Sequence, residues 1–354
     1  MAPNEPRFEM VSLTDPGMTR HLNEDAVFCD PILGLAILAD GMGGYSTGEV
    51  ASALAIETVS QAMQESIPGL YALPADESTK ALCEDIAFAV ERANAAIWNE
   101  SKRESDADTM GSTIVVAVFL RDRVTIAHVG DSRLYRYRCG ELVQMTRDHS
   151  WLQEQLDLGI ITPENARDSR FKNLVTRGLG IEQDVDVEIH DYPVLAGDLF
   201  LICSDGLTDM LETHALAHIL DEHIQDLPQA ASEMVRQANA NGGRDNISVI
   251  LIRKFAPTNG WLRNLSNKLG FRKPSSFYSS VDHAVSRLRC LAVAHAHAVL
   301  VARALHIGVH GYNPEKLSSM YIGAEVVIHR SGWSSDASMK PGRQPQKDSS
   351  RRLG

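Results

Sequence analysis

What the 354-residue chain has little of already excludes several classes of protein. Cysteine is scarce: Cys29, Cys83, Cys139, Cys203 and Cys290 are odd in number, widely scattered and never form a CxxC pair. They spell neither a disulfide framework nor a zinc ribbon, and a reducing compartment, the cytoplasm, is expected. The N-terminus has no basic segment running into an apolar one, so no signal peptide is expected. Long apolar runs are missing as well. The longest, residues 291–309, is interrupted by His295, His297, Arg303 and His306, which argues against a membrane span. Positive charge is deficient over residues 1–254, which hold 20 Lys+Arg against 41 Asp+Glu. That balance repels a nucleic-acid backbone and suits a protein that holds divalent cations.

What is present over those 254 residues is an alternation of strand and helix signals. Residues 26–29 and 35–39 are short apolar runs joined by Asp30-Pro31-Ile32-Leu33-Gly34, a hairpin pattern. Residues 113–120 and 124–129 flank Arg121-Asp122-Arg123, and 133–138 and 141–145 flank Cys139-Gly140. Runs at 199–203 and 247–253 complete a set whose tight turns imply antiparallel pairing. Ser46 with Glu49 is a capping-box signature, followed by Val50, Leu54, Val59 and Met63 on one predicted helical face. A second helix, from about residue 78 to 102, carries the stripe Leu82, Ile86, Val90, Ala93 and Ile97. A later helix pair starts near Thr213 and Leu227 and stops at Asn241-Gly242-Gly243. The expected fold class is α+β, an antiparallel β-sandwich flanked by helical layers (α-β-β-α). Residues 151–174 lack a strand signal and read as a helical surface insertion, with Ser150 as one N-cap and Thr162-Pro163-Glu164 as a second helix start.

After residue 255 the composition changes to 14 Lys+Arg against 5 Asp+Glu, without strand rhythm. A domain of residues 7–254 followed by a basic, partly disordered extension of residues 255–354 is expected. The extension is either solvated or a docking segment for something acidic.

The informative feature is where the acids fall. Asp40 ends one apolar run, Asp131 and Asp205 end two others, and Asp245, Glu24 and Asp25 stand just before strands. In an antiparallel sheet one strand's end and its neighbour's start share an edge, so all six can converge on one rim. Each alone is an ordinary turn residue. Six on one rim repel unless strong positive charge lies among them. Oxygen ligands without a histidine pattern favour Mg²⁺ or Mn²⁺ over zinc.

Eight segments then occur in order: Arg20-His21-Leu22-Asn23-Glu24-Asp25, Ala39-Asp40-Gly41-Met42-Gly43-Gly44, Gly111-Ser112-Thr113, Val129-Gly130-Asp131-Ser132-Arg133, Arg147-Asp148-His149-Ser150, Thr176-Arg177-Gly178-Leu179-Gly180, Ser204-Asp205-Gly206-Leu207 and Asp245-Asn246-Ile247-Ser248. Together they resemble the bacterial form of the metal-dependent Ser/Thr protein phosphatases, the type 2C family, over residues ~7–254. The resemblance implies two Mn²⁺ or Mg²⁺ ions bridged by Asp40, with the Gly41 carbonyl, Glu24 and Asp25 toward one and Asp205 and Asp245 on the other. Asp131, with Asp205, would form a third, weaker site, and Arg20 would grip the substrate phosphate. A water activated between two such ions is the nucleophile, so none is needed from Ser or Cys. The implied partners are phosphorylated proteins and a cognate Ser/Thr kinase. Met42 stands where many relatives carry a histidine that protonates the leaving group, so that acid is unassigned, with His149 or a metal-bound water as alternatives. His214 and His218, four apart on a helix, lack an acidic partner pattern and read as surface residues. A silent phosphoprotein-binding module and a phosphoesterase for small phosphates remain the rival readings.

Overall fold

The computed structural model describes residues 8–44, 47–103, 110–162, 165 and 174–254. Pro163 and Glu164 of the expected second helix start, the apolar run 291–309 and the whole basic extension from residue 255 lie outside the described residues. So does Ser46 of the expected capping box.

Within those residues the chain runs β1 (Phe8–Asp15), β2 (Asp25–Asp30), β3 (Leu35–Met42), α1 (Thr47–Leu70), α2 (Ala75–Ser101), β4 (Gly111–Ser112), β5 (Ile114–Leu120), β6 (Arg123–Val129), β7 (Arg133–Arg138), β8 (Glu141–Gln144), α3 (Trp151–Asp157), β9 (Glu188–Pro193), β10 (Leu199–Cys203), α4 (Asp205–Thr208), α5 (Thr213–Glu222), α6 (Leu227–Ala240) and β11 (Ile247–Lys254). One sheet has the order β1-β11-β10-β7-β8, the other β2-β3-β5-β6-β9, with β4 on the end of β3. Every pairing is antiparallel.

Period-two alternation sorts the central strands into two layers of core. Along β5, Val115, Ala117 and Phe119 point between the sheets, whereas Ile114, Val116, Val118 and Leu120 point outward under α1 and α2. In β10, Phe200 and Ile202 face inward while Leu199, Leu201 and Cys203 meet α5 and α6. Both faces of these strands are covered, which is why they read as unbroken apolar runs. The Phe119 ring meets both Phe8 and Phe200 between the sheets, with centroids 5.0 Å from each. This is the expected α-β-β-α sandwich.

Two helices illustrate what periodicity reads well and what it misses. α2 buries all five residues of its predicted stripe. α1 does not: Val50 is 43% exposed and the buried face is Ala51, Ala55, Val59, Met63 and Ile67. α1 crosses β3 so closely that small side chains must face the sheet, and the stripe rotates toward alanine. β1 and the polar edge strand β9 escaped the sequence reading. α3 starts as expected, the Ser150 hydroxyl accepting the Gln153 N–H. None of the described helices is long and apolar enough to cross a membrane.

Candidate metal centre

The rim begins at the β2–β3 hairpin, whose register sets Asp25 directly opposite Asp40. The chain then closes on itself: the Gly41 N–H donates to the Glu24 carbonyl at 3.0 Å. A Cβ at Gly41 would overlap the Gly48 carbonyl in the first turn of α1, so glycine here is a condition of the close approach. Gly41→Ala is expected to cost about 1–3 kcal/mol by overpacking and to weaken Mn²⁺ binding, read by thermal melting and metal titration. The Glu24 carboxylate sits at the N-terminal end of α1, accepts the Gly48 N–H, and is nevertheless pushed above its usual range, chiefly by burial.

The opposite sheet supplies the other side. Asp205 opens α4 directly after β10 and Ser204. Asp245 stands just before β11, its Oδ1 accepting the Asn246 N–H and its Oδ2 the Arg20 Nη2–H at 2.8 Å. Asn246 fastens the loop that carries Arg20 and Glu24. Its Oδ1 accepts the Glu24 N–H, and its Nδ2 donates to the carbonyls of Pro16 and Leu22. Ser204 ties the two sheets together, donating to Asp25 Oδ2 at 2.8 Å while accepting the Ser248 N–H.

Electrostatics shows that the acids act on one another. Asp40 is driven well above the ordinary carboxylate range by burial and then by the charges of Asp25, Asp205, Asp131 and Asp245. Asp205 is raised in the same way, by burial and then by Asp131, Asp245, Asp209 and Asp25. Asp25 is pushed up to about 6, first by burial, against hydrogen bonds from Ser248 and Ser204. Asp131 also reaches about 6, from burial and the neighbouring Asp148. Asp25 Oδ1 is buried without a hydrogen-bond partner. Buried carboxylates that raise one another's pKa, with an oxygen left unpartnered, are costly unless a cation joins them. Carboxylate oxygen donors, with no imidazole or thiol among them, fit a hard divalent ion such as Mg²⁺ or Mn²⁺.

Asp25, Asp40, Asp131, Asp205 and Asp245 are thus brought together, with Glu24 at their edge. Arg20 is half exposed beside them and paired with Asp245. His149 is not at the rim's surface. Its side chain is buried, Nδ1 accepts the Gly130 N–H at 3.1 Å, and Nε2 meets Glu188 at 3.2 Å. Both ring nitrogens being engaged, it is not the free acid that one sequence alternative required. His128, His149 and Glu188 do lie within 4.8 Å of one another. The Gly130 N–H occupies His149 Nδ1, however, and Glu188 and Arg177 Nη1 both contact Nε2, so the protein's own groups engage both ring nitrogens. His214 and His218 are exposed and pair with Glu212 and Glu222. Ser204 and Asn246 act through several long-range hydrogen bonds, for which the sequence offers only their place next to Asp205 and Asp245.

The comparisons agree with this geometry. The family model described as Protein phosphatase 2C matches residues 20–251. The serine/threonine phosphatase stp of Listeria monocytogenes is 38% identical over 247 residues, 68% of this chain and 94% of that protein. The serine/threonine protein phosphatase PstP of Mycobacterium tuberculosis is 34% identical over 238 residues, 67% of this chain and 43% of that protein. The crystal structure of the M. tuberculosis phosphatase PstP is matched with a TM-score of 0.63 at 32% identity, over 70% of this chain and 99% of that one. The PstP catalytic domain in complex with two manganese ions is matched with a TM-score of 0.62 at 32% identity, with the same coverage. Sandwich, acidic rim and relatives define a protein-serine/threonine phosphatase. The chain belongs to the protein phosphatase 2C family.

Proposed function

We propose that the chain hydrolyses phosphoserine and phosphothreonine in proteins at a two-metal Mn²⁺ or Mg²⁺ centre, in the cytoplasm, opposing a Ser/Thr kinase. The observation that carries this reading is the meeting of Asp25, Asp40, Asp131, Asp205 and Asp245 at one rim with Arg20 beside them. In this reading Asp40 would serve two cations. The Gly41 carbonyl, Glu24 and Asp25 would hold one of them, and Asp205 and Asp245 the other. Asp131 would share a third, weaker site with Asp205. Residues 7–254 form the catalytic domain, and the basic extension is accessory to it.

When bound, the two ions lower the pKa of a water enough to make it a nucleophile at neutral pH. The chain does the rest. Its carboxylates fix where the cations sit, and the buried Ser204 hydroxyl turns Asp25 toward them. Arg20, anchored at one nitrogen by Asp245, holds a planar fork at the rim that matches two phosphate oxygens. Charge that builds on the phosphate oxygens during in-line displacement then meets a fixed cation, which costs no reorganisation.

The test is phosphate release from a phosphothreonine peptide by the full chain with Mn²⁺, Mg²⁺ or EDTA. Turnover with either metal and none in EDTA is expected. Folded protein that binds the phosphopeptide but turns over with no metal would return the reading to a silent binding module. Arg20→Ala is expected to raise the peptide KM roughly 10- to 100-fold, as loss of a charge-assisted bond to phosphate does. An unchanged KM would remove Arg20 from the phosphate site.

A further inference from the structure

Between β3 and β5 the regular ladder stops at Leu38 opposite Val115, and pairing resumes only where Gly41 meets Ser112 on β4. Asp40 falls in that gap. On this side its backbone is held by Thr113, which is 2% exposed, while the neighbouring Ser112 hydroxyl adds a 3.0 Å bond to the Asp40 carbonyl. The Thr113 N–H donates to the Asp40 carbonyl at 2.8 Å. The return bond does not go to a backbone carbonyl: the Asp40 N–H donates to Thr113 Oγ1 at 3.1 Å. The hydroxyl therefore stands in for a missing ladder acceptor at the residue where the acids converge, an irregularity of the kind that re-aims a side chain at a strand end.

The same side chain reaches Asp131. Thr113 Oγ1 shares a 2.8 Å hydrogen bond with the Oγ of Ser132, which is 1% exposed and follows Asp131 directly. On the other side of Asp131, Gly130 has φ +108°, and a Cβ there would lie 2.6 Å from Thr113 Cβ and Cγ2. The hydroxyl thus holds the residue after Asp131 while the methyl packs against the residue before it. We propose that Thr113 is a positioning residue that sets Asp40 and Asp131 in their relative places for cation binding and turnover. This rests on the reading of the rim as a metal centre. Thr113 touches no substrate in it; the residue acts through the two acids.

Valine in place of Thr113 keeps the shape and removes the hydroxyl, leaving the Asp40 N–H and the Ser132 hydroxyl without that partner. Mn²⁺ affinity of Thr113→Val, measured by calorimetry on the full chain, is expected to fall roughly 10- to 100-fold, as loss of a group that orients metal ligands does. The peptide KM at saturating Mn²⁺ should stay unchanged, because Arg20 hangs from a different loop. Thr113→Ser retains the hydroxyl and should restore affinity to near that of the parent. A folded Val variant that binds Mn²⁺ like the parent overturns the proposal, and so does a Ser variant as weak as the Val variant. Ser132→Ala cuts the same link from the other end and serves if the Val variant does not fold. It too should weaken Mn²⁺ binding, and parental affinity there would overturn the proposal. Because calorimetry reads the metal directly, a parent that binds Mn²⁺ but releases no phosphate would sink the phosphatase reading and leave this test standing.

Discussion

Asp40→Asn should remove phosphatase turnover and, in the absence of metal, raise the melting temperature. The two effects share one cause. Asp40 is buried among the charges of Asp25, Asp205, Asp131 and Asp245, an arrangement that opposes folding until cations neutralise it. On the proposed reading asparagine removes a charge that both cations would need, and several kcal/mol of lost transition-state stabilisation corresponds to a fall in kcat of roughly 10³-fold or more. The same change relieves repulsion in the metal-free protein, and each ~1 kcal/mol gained adds about 2–4 °C for a domain of this size. Asp205→Asn should behave alike, since its charge is opposed by Asp131, Asp245, Asp209 and Asp25. Phosphate release with Mn²⁺ and a thermal melt in EDTA read both effects. A metal-free variant that melts lower than the parent would mean that the acids stabilise the fold, contrary to this account.

The second large effect is on stability against pH. Asp25 and Asp131 are pushed from an ordinary 3.8 up to about 6. A carboxyl with a folded pKa above its unfolded one binds its proton more tightly in the folded state. Its penalty is therefore absent below the unfolded pKa, grows as pH rises between the two values, and is complete above about 6. Two units are worth about 3 kcal/mol for each residue. Bound Mn²⁺ replaces the protons as the neutralising charge, so it should cancel the penalty. Denaturant unfolding with and without Mn²⁺ should show a gap in stability that widens by several kcal/mol between about pH 4 and about pH 7. Ion pairs elsewhere, such as Arg138 with Asp198 and Arg253 with Glu9, are common to both curves and drop out of the difference. A gap independent of pH would contradict the raised values at Asp25 and Asp131.

The stability cost at the rim also accounts for its surroundings. Ser204, Asn246 and Thr113 are buried hydrogen-bonding residues with partners far away in sequence, and each grips the backbone or carboxylate of an acid or of its neighbour. A repelling cluster keeps its geometry only if the scaffold is stiffer than the repulsion is strong. That stiffness comes from strands covered on both faces and from a centre packed around Phe8, Phe119 and Phe200.

Much of this was legible in the sequence for local reasons. Alternation along residues 114–120 and 199–203, the turn residues between 30 and 34, and the five-residue stripe of α2 each reflect a period that a strand or helix imposes on its own neighbours. The placement of acids at strand ends was legible too, because antiparallel order makes those ends meet. Other features depend on what lies opposite. The buried face of α1 rotated from Val50 to Ala51 because the helix lies so close to β3 that Gly41 and Gly48 almost touch. β9 escaped notice because an edge strand that pairs on one side only need not be apolar. His149, an open alternative in the sequence, is withdrawn into hydrogen bonds by Gly130 and Glu188.

The sequence by itself determined the layers of this protein and the chemistry of its acids, since burial period and ligand type are written residue by residue. Only the tertiary structure decided which atoms meet. Asp25 faces Asp40 through one hairpin, but Ser204 reaches Asp25 across 179 residues and Arg20 reaches Asp245 across 225. Contacts of that span follow from the stacking of two sheets, and no local pattern encodes them.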